Sequence, residues 1–293
     1  MEASLWFGAD SPLAPWWPLI AALLGAIVGS FLNVVIVRMP RRLEWSWRQQ
    51  AREFLGEAPV AGETPPPGLV FARSHCPSCQ APIRAWQNIP VLSWLLLRGR
   101  CASCKAAISW QYPLVEIVTA LASLVVALKF GFTFEAVAAL GLTWSLVALA
   151  GIDFRTQLLP DQITLPLMWA GLLLSLRPLF LTPEGAIMGA ALGYLSLWSV
   201  FWLFKLLTGK EGLGYGDFKL LAALGAWLGA LALLPIVLIA SISGAVIGGL
   251  WLALRHRGES RPFAFGPYLA IAGWIQLVAG EWLIDAWYGW LGM

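Results

Sequence analysis

The sequence predicts an all-α polytopic membrane protein with about eight transmembrane helices and one polar insertion after the first helix. Three observations support this fold class. The 293-residue chain is 59% hydrophobic and only 12% charged, whereas a soluble globular protein has roughly 25% charged residues. Its apolar residues are gathered in runs of roughly the 20 residues that a helix needs to cross a bilayer. All four cysteines lie in the single long polar stretch, residues 38–112.

Eight apolar runs are candidate transmembrane helices. They cover residues 18–37, 113–130, 134–152, 162–180, 185–207, 218–234, 235–254 and 263–287. The sixth and seventh runs are joined by little more than Pro235, so the sequence leaves the exact boundary between them open. An even number of spans places both termini on the same side of the membrane. The first 18 residues contain no basic residue, so they lack the positive segment of a cleavable signal peptide.

The basic residues predict the orientation of these helices. If the N-terminus is periplasmic, all of the 19 Lys and Arg residues except Lys129 and Arg177 lie on the cytoplasmic side. Cytoplasmic loops of membrane proteins carry such an excess of basic residues. We therefore expect a multi-pass protein with both termini periplasmic, and with Asp153, Asp161 and Asp217 at the cytoplasmic face.

The first apolar run carries a stripe of small residues. Gly25, Gly29 and Ser30 lie on one helical face at spacings typical of close helix packing in membranes. Asn33 lies in the same run and is expected to form a hydrogen bond to a neighbouring helix, because an unsatisfied polar group in lipid is costly.

The four cysteines form two C-x-x-C pairs. Cys76 and Cys79 are separated by 21 residues from Cys101 and Cys104. Two such pairs resemble the knuckles of a zinc ribbon, and four thiolates suit tetrahedral zinc. Since the segment is predicted to be cytoplasmic, disulfides are disfavoured there. A four-thiolate site has no open position for water, so the predicted zinc is structural. Four unpaired structural or redox-active cysteines are the alternative.

A glycine-rich stretch between two apolar runs ends in a carboxylate and a lysine. It contains Gly212, Gly214, Gly216, Asp217 and Lys219. Alternating glycines allow unusual backbone conformations and close approach of a ligand. An acidic residue at a membrane boundary is costly to place and is a candidate functional residue.

A second acidic residue, Asp153, ends the third apolar run. We interpret Asp153 and Asp217 as a catalytic pair, in which one carboxylate takes a proton from water and the other protonates the scissile carbonyl or forms a hydrogen bond to it. The alternative for each residue alone is a helix cap or an ion-pair partner, such as Arg155 for Asp153. Asp161 is predicted to cap the fourth span. Lys219 is predicted to extend to the membrane interface or to stabilise the loop.

These motifs together resemble the type IV prepilin peptidases, which are GxGD-type membrane aspartic proteases. The resemblance extends through most of the chain. It includes residues 29–35 with Arg38 and Pro40, both cysteine pairs with residues 88–90, 93–95 and 98–100, Tyr112-Pro113, Glu116, Asp153 with residues 159–161, the glycine-rich loop with Asp217 and Lys219, and Phe265-Gly266-Pro267-Tyr268.

The resemblance implies the following assignments. Asp153 and Asp217 would be catalytic, and the four cysteines would bind the metal. The enzyme would lie in the bacterial inner membrane, and its partners would be the lipid bilayer, type IV prepilins and type II secretion pseudopilins. It would remove their basic leader peptides after a glycine. It would then methylate the new N-terminus, usually Phe, from S-adenosylmethionine.

Some features remain unassigned by the sequence. The Gly212–Gly216 spacing is not a dinucleotide-binding fingerprint, and no other stretch resembles a cofactor-binding loop, so the S-adenosylmethionine site is unknown. Glu116 has no assigned role. The small net charge, +3, gives no indication of a nucleic-acid partner. The oligomeric state is not indicated.

Three segments are predicted. Residues 1–37 form a periplasmic tail and the first helix, residues 38–112 form a cytoplasmic zinc-binding domain, and residues 113–293 form a seven-helix membrane peptidase domain. Two other functions are alternatives. A presenilin-like intramembrane protease would not require the large cysteine-bearing insertion. A proton-coupled transporter often has internal repeats and acidic residues near the midplane, neither of which is evident here.

Overall fold

The structure is a computed structural model that describes residues 8, 11–58, 60, 62–210, 212–254 and 264–291; most of the predicted N-terminal tail and the basic residues Arg255, Arg257 and Arg261 lie outside these ranges. The described residues contain no strand. The helices are α1 (Trp17–Phe54), α2 (Leu92–Leu96), α3 (Gln111–Phe130), α4 (Phe134–Thr156), α5 (Asp161–Ser175), α6 (Pro183–Thr208), α7 (Tyr215–Leu228), α8 (Ala230–Leu254) and α9 (Gly266–Leu291).

The helical membrane fold is confirmed. Five helices in the described part of the chain, α1, α3, α4, α6 and α8, are long and apolar enough to cross a bilayer. Two predicted spans are shorter helices than the apolar runs indicated. Helix α5 has 15 residues and α7 has 14, against the roughly 20 that spanning requires. The chain forms two compact units, Met1–Phe132 and Thr133–Met293. The contacts thus group α3 with α1, whereas the predicted peptidase segment began at residue 113.

The boundary between the sixth and seventh runs, which the sequence left open near Pro235, lies at Gly229. Helix α7 ends at Leu228, and α8 begins at Ala230 and continues through Pro235. The break lies at Gly229, whose φ of +83° belongs to the left-handed region. Glycine adopts this conformation without the steric penalty that a Cβ imposes. Proline, by contrast, is tolerated inside membrane helices, where neighbouring groups satisfy the freed carbonyl.

In the first unit, α1 packs along α3 through its small residues, as predicted. A Cβ built on Gly25 would lie 2.7 Å from the carbonyl oxygen of Thr119, and one on Gly29 would lie 2.8 Å from the Cα of Glu116. The predicted hydrogen bond of Asn33 is also present, since its amide donates to the carbonyl of Tyr112 at 3.0 Å. The backbones of α1 and α3 therefore lie in close contact at Gly25 and Gly29, because glycine has no side chain to separate them.

Helix α1 does not end at residue 37, where the first predicted segment ends. It continues as one helix through Pro40 to Phe54. The polar segment that follows folds back onto this extension. Arg38 donates to the carbonyls of Gly68 at 2.7 Å and Ala72 at 3.0 Å.

The role of Glu116, which the sequence left open, is evident in the structure. This buried carboxylate accepts a hydrogen bond from the backbone N–H of Val91 at 2.7 Å. Val91 precedes α2 and has φ +59° and ψ −50°, a conformation that a β-branched residue rarely adopts. Glu116 thus holds the strained start of α2 against α3.

In the second unit, α7 is the central helix. Its residues from Asp217 to Trp227 are buried, apart from a partly exposed Lys219, and α5, α6, α8 and α9 all contact it. Gly193 of α6 lies against the backbone of α7, since a Cβ there would be 2.6 Å from the carbonyl oxygen of Leu221. Helix α7 carries Asp217 in its first turn, so this packing fixes the position of that residue.

Candidate active site and metal centre

Asp153 lies in the last turn of α4 and is 5% exposed. Helix α4 ends at Thr156, and the next residue, Gln157, has a left-handed conformation, φ +56°, that terminates the helix. The backbone N–H of Gly266, the first residue of α9, donates to Oδ2 of Asp153 at 3.0 Å. The carboxylate is thus held between the end of one helix and the start of another.

Asp217 lies in the first turn of α7 and is 7% exposed. Its Oδ2 accepts a hydrogen bond from the backbone N–H of Gly214 at 3.2 Å. Gly214 is the residue before the helix, so Asp217 caps the helix from its third position rather than as the N-cap residue. The helix N-terminus favours a negative charge at this position.

Leu159 links the surroundings of the two aspartates. A Cβ built on Gly216 would lie 2.7 Å from the Cβ of Leu159, and one built on Gly266 would lie 3.0 Å from its Cδ1. Gly216 directly precedes Asp217, and Gly266 binds Asp153. The carboxylate of Asp153 is also close enough to act electrostatically on Asp217. The structure therefore brings together the two acidic residues that the sequence singled out.

The glycines of the predicted loop act through their small size rather than an unusual backbone. None of Gly212, Gly214 and Gly216 has a positive φ. Gly216 lies inside α7, where a side chain would meet Leu159, and a Cβ on Gly212 would lie 3.0 Å from the ring of Phe204. The loop before α7 is therefore shorter than predicted, because the helix begins at Tyr215.

Lys219 and Asp161 form an ion pair that the sequence did not predict. The Nζ of Lys219 lies 2.7 Å and 2.8 Å from the two carboxylate oxygens of Asp161. Asp161 was expected to be the N-cap of α5, but the N-cap residue is Pro160 and Asp161 is the first residue of the helix. Its side chain instead joins the start of α5 to α7.

Gly266 is a site residue that sequence reasoning did not select. Its motif, residues 265–268, contributes to the family resemblance, which assigns no role to this glycine. A Cβ at Gly266 would lie 2.7 Å from Oδ2 of Asp153, so no other residue leaves space for this carboxylate. The only sequence signal for this role is the glycine itself, and the residue that it contacts, Asp153, lies 113 positions earlier in the chain.

The four cysteines form a second candidate site. Their sulfur atoms all lie within 4.8 Å of one another, and Sγ of Cys76 is 3.8 Å from Sγ of Cys104. Tetrahedral zinc with Zn–S bonds of about 2.3 Å places its sulfur ligands about 3.8 Å apart. The thiols of Cys76, Cys79, Cys101 and Cys104 are free of disulfides. This donor set fits a structural zinc ion.

The two pairs share one backbone arrangement. The backbone N–H groups of Cys79 and Ser78 lower the pKa of the Cys76 thiol to about 6. The corresponding N–H groups of the second pair lower the pKa of Cys101. Since the thiolate is the metal ligand, these donors favour the form that binds a metal. Each pair has only an isolated β-bridge beside it, not a strand.

Comparison with known proteins adds an independent line of evidence. Residues 23–130 match the bacterial peptidase A24 N-terminal domain, and residues 140–249 match the type IV leader peptidase family. Relatives from Xanthomonas campestris pv. campestris, Pseudomonas aeruginosa and Aeromonas hydrophila are all named prepilin leader peptidase/N-methyltransferase. They are 52%, 54% and 52% identical over 93%, 93% and 94% of this chain, and over 95%, 93% and 94% of their own lengths. No solved structure matches the chain.

A membrane helix bundle that places two buried aspartates at neighbouring helix ends has the architecture of a membrane-embedded aspartic peptidase. The family match covers both aspartates. This chain belongs to the type IV leader peptidase family. The resemblance found in the sequence is therefore confirmed at the level of the family.

Proposed function

We propose that this protein is an inner-membrane aspartic endopeptidase that removes the basic leader from type IV prepilins and type II secretion pseudopilins. Cleavage takes place at the cytoplasmic face, and both termini of the enzyme are periplasmic. The protein also methylates the new N-terminal residue from S-adenosylmethionine. The names and high identity of the relatives support both activities.

The peptidase proposal rests on the proximity of Asp153 and Asp217, since the glycines beside both residues contact Leu159. Both carboxylates are nearly inaccessible, and each accepts one hydrogen bond from a backbone N–H. Two carboxylates in one site do not easily ionise together, so the pair shares a proton at rest. That state supplies a base and an acid at once.

In the proposed reaction, the ionised carboxylate takes a proton from a water molecule, and the water oxygen attacks the scissile carbonyl carbon. The protonated carboxylic acid gives its proton to the carbonyl oxygen. Collapse of the resulting tetrahedral diol breaks the C–N bond: the leaving amine takes up the proton that the pair holds, and one hydroxyl of the diol returns a proton to the other carboxylate as the product C=O forms. The hydrogen bonds from Gly214 and Gly266 hold the two carboxylates in position through these steps.

The methyl-transfer proposal is supported by the relatives' names. S-adenosylmethionine supplies an electrophilic methyl group, which the freed α-amino group accepts with loss of a proton. The residues that hold this cofactor are unassigned. The zinc proposed at the four cysteines has a structural role, because four thiolates complete its coordination.

The test is the mass of a prepilin co-expressed with this protein. We expect loss of the leader and gain of one methyl group on the product. The control is the Asp217→Asn variant, which should be inactive and should leave the prepilin at full length. A prepilin that stays intact with the wild-type chain, when both proteins are inserted in the membrane, would overturn the peptidase proposal.

A further inference from the structure

The short helix α2 in the polar segment presents its apolar face outward. Leu92, Leu95 and Leu96 are spaced at i, i+3 and i+4, so they share one face of the helix. Their exposed fractions are 49%, 58% and 66%, whereas Ser93 is buried at 9%. Leucine is usually buried in a protein surrounded by water, and serine is usually exposed. The order is therefore inverted for a helix that faces water.

A loop of the same polar segment also exposes apolar side chains. Val70 is 71% exposed and its neighbour Phe71 is 98% exposed. Arg38 donates to the carbonyls of Gly68 and Ala72, which flank these two residues. Arg38 is the first residue after the apolar run of α1. The loop is therefore fixed at the level where α1 leaves the apolar part of the bilayer.

The packing of α1 against α3 sets the depth at which α3 begins. Asn33 donates to the carbonyl of Tyr112, and the backbone of Gly29 lies against the Cα of Glu116. At 1.5 Å per residue, Asn33 and Gly29 lie about 8 Å and about 13 Å before Arg38 along α1. The first two turns of α3 are thus beside the apolar run of α1, within the hydrocarbon core of about 30 Å.

Helix α2 is held at the same depth as the start of α3. The residue before it, Val91, donates its backbone N–H to the carboxylate of Glu116 at 2.7 Å. Within α2, the ring of Trp94 contacts that of Trp110, with centroids 4.2 Å apart. Trp110 directly precedes α3 and is 72% exposed, and tryptophan is enriched at membrane–water interfaces. These contacts place the leucine face of α2 at the level of the lipid rather than in the aqueous phase.

We propose that the leucine face of α2 and the loop with Val70 and Phe71 are embedded in the bilayer, in the leaflet on the side of Arg38. Lipid acyl chains cover both surfaces, because the contacts described above fix them beside helices that are long and apolar enough to cross the membrane. An interfacial helix buries its apolar face about 5–10 Å into the boundary between headgroups and acyl chains, which agrees with the depth of the start of α3. The inference requires that α1 and α3 cross the bilayer and does not depend on the proposed function.

The composition of the cysteine-bearing segment fits this placement. Among its described residues between 55 and 110, Cys76 is the one buried apolar side chain, so the segment has almost no apolar core of its own. Arg98 and Arg100 follow α2 and are both exposed. The cytoplasmic leaflet of a membrane has a negative surface potential that attracts such residues. The bilayer therefore supplies the apolar cover that this segment does not supply for itself.

A photoreactive diazirine analogue of leucine at position 96 tests the placement. The full chain is reconstituted, without a prepilin, in vesicles of phosphatidylethanolamine and phosphatidylglycerol. It is then irradiated, and the adducts are identified by mass spectrometry. We expect lipid adducts at position 96, as at the positive control, position 27. Ile27 belongs to the apolar run of α1 and is 60% exposed.

Position 60 is the matched negative control, because Val60 is an apolar residue of the same segment and is 52% exposed. Three residues further on, Glu63 pairs with Arg52. Arg52 lies about 21 Å beyond Arg38 along α1. The same probe at position 60 should therefore form no lipid adducts.

The other surfaces that could cover the leucine face give different products. Adducts between position 96 and residues 133–293 would show that the second unit covers this face and would overturn the proposal. Reaction with solvent alone would also overturn it. If an added prepilin replaced lipid in the adducts, the face would be a substrate site rather than a lipid-embedded surface.

A double variant, Leu92→Gln with Leu95→Gln, provides a second test. Glutamine has a helix propensity close to that of leucine, so α2 can still form, but its polar amides favour water over lipid. We expect most lipid adducts at position 96 to be lost and proteolysis of residues 88–100 in the vesicles to increase severalfold. Lipid adducts and proteolysis that both stay at the wild-type level would show that the leucines do not hold α2 in the bilayer.

Discussion

Lys219 binds both carboxylate oxygens of Asp161, at 2.7 Å and 2.8 Å, and thereby ties the start of α7 to the first residue of α5. Asp217 lies only two residues before this lysine. The two side chains of the pair are 28% and 50% exposed, and an exposed ion pair contributes at most about 1 kcal/mol. The pair therefore helps to position α7, which carries the candidate residue Asp217, without dominating the stability of the protein.

We predict that Asp161→Asn is mild and lowers kcat less than about tenfold, because an exposed pair of this kind is worth less than about 1.4 kcal/mol. Lys219→Gln should have the same small effect. The double variant Asp161→Lys, Lys219→Asp exchanges the two charges, so its kcat should be close to that of the wild-type chain. Steady-state cleavage of a prepilin measures all three. If Asp161→Asn were inactive while Asp153→Asn still cleaved, the catalytic pair would have to be redrawn as Asp161 and Asp217.

Asp153→Asn and Asp217→Asn should each abolish leader cleavage and leave the protein folded and inserted. An amide keeps the size of the side chain, but it can neither take a proton from water nor serve as a carboxylic acid. Cleavage assays and protease resistance of the purified variants measure the two properties. Methylation of a pilin cleaved beforehand should survive both substitutions, and loss of that activity would contradict separate groups for the two reactions.

Gly266→Ala should lower kcat by about a hundredfold, the effect expected when a reacting group is displaced by about 1 Å. A methyl group at this position would lie 2.7 Å from Oδ2 of Asp153 and must push the carboxylate away. Gly249→Ala, which has open space around it, is the matched control and should retain full activity. Wild-type kinetics for Gly266→Ala would show that the contact with Asp153 is dispensable.

Purified protein should contain about one zinc ion per chain, held by the four cysteines. Cys101→Ser should lose the metal and increase proteolysis of residues 55–110, while Asp153 and Asp217 stay in place. Metal analysis and limited proteolysis measure these effects. Four alkylatable thiols and no metal, in protein prepared without chelators, would contradict the zinc site.

The predicted topology can be tested with reporter fusions. A reporter fused after Arg257, which lies outside the described residues, should be cytoplasmic, and one at the C-terminus should be periplasmic. The reason is the excess of basic residues on the proposed cytoplasmic side. Both reporters on the same side would contradict the eight-span topology, and the short helix α7 would then be the first candidate for a segment that does not span.

The two candidate aspartates could be singled out from the sequence because each lies in a distinctive local sequence at the end of an apolar run, and their catalytic role stays a prediction. The contacts around them could not be predicted. Gly266 meets Asp153 across 113 positions, and Lys219 meets Asp161 across 58. No local pattern specifies which helix ends come together, because that depends on the packing of the whole second unit.

The division of the apolar runs into helices was only partly predictable. Hydropathy located the run that contains α7 and α8 but could not show that Gly229, and not Pro235, breaks it. A proline removes one N–H, which a membrane helix can tolerate, whereas the positive φ of Gly229 interrupts the helix. The close contact of Gly193 with α7 could not be predicted either. A glycine in a membrane segment indicates close helix packing but does not show which helix packs against it.

The small length of α7 also bears on how water reaches a peptide bond within a membrane protein. Its 14 residues extend about 21 Å, at 1.5 Å per residue, against a hydrocarbon core about 30 Å thick. Its neighbour α6 has 26 residues and extends about 39 Å. A helix shorter than the hydrocarbon core has at least one end below the membrane surface, and Asp217 lies in the first turn of α7. We expect water that reaches this end of α7 to be the hydrolytic water, so that the enzyme does not have to draw water through lipid.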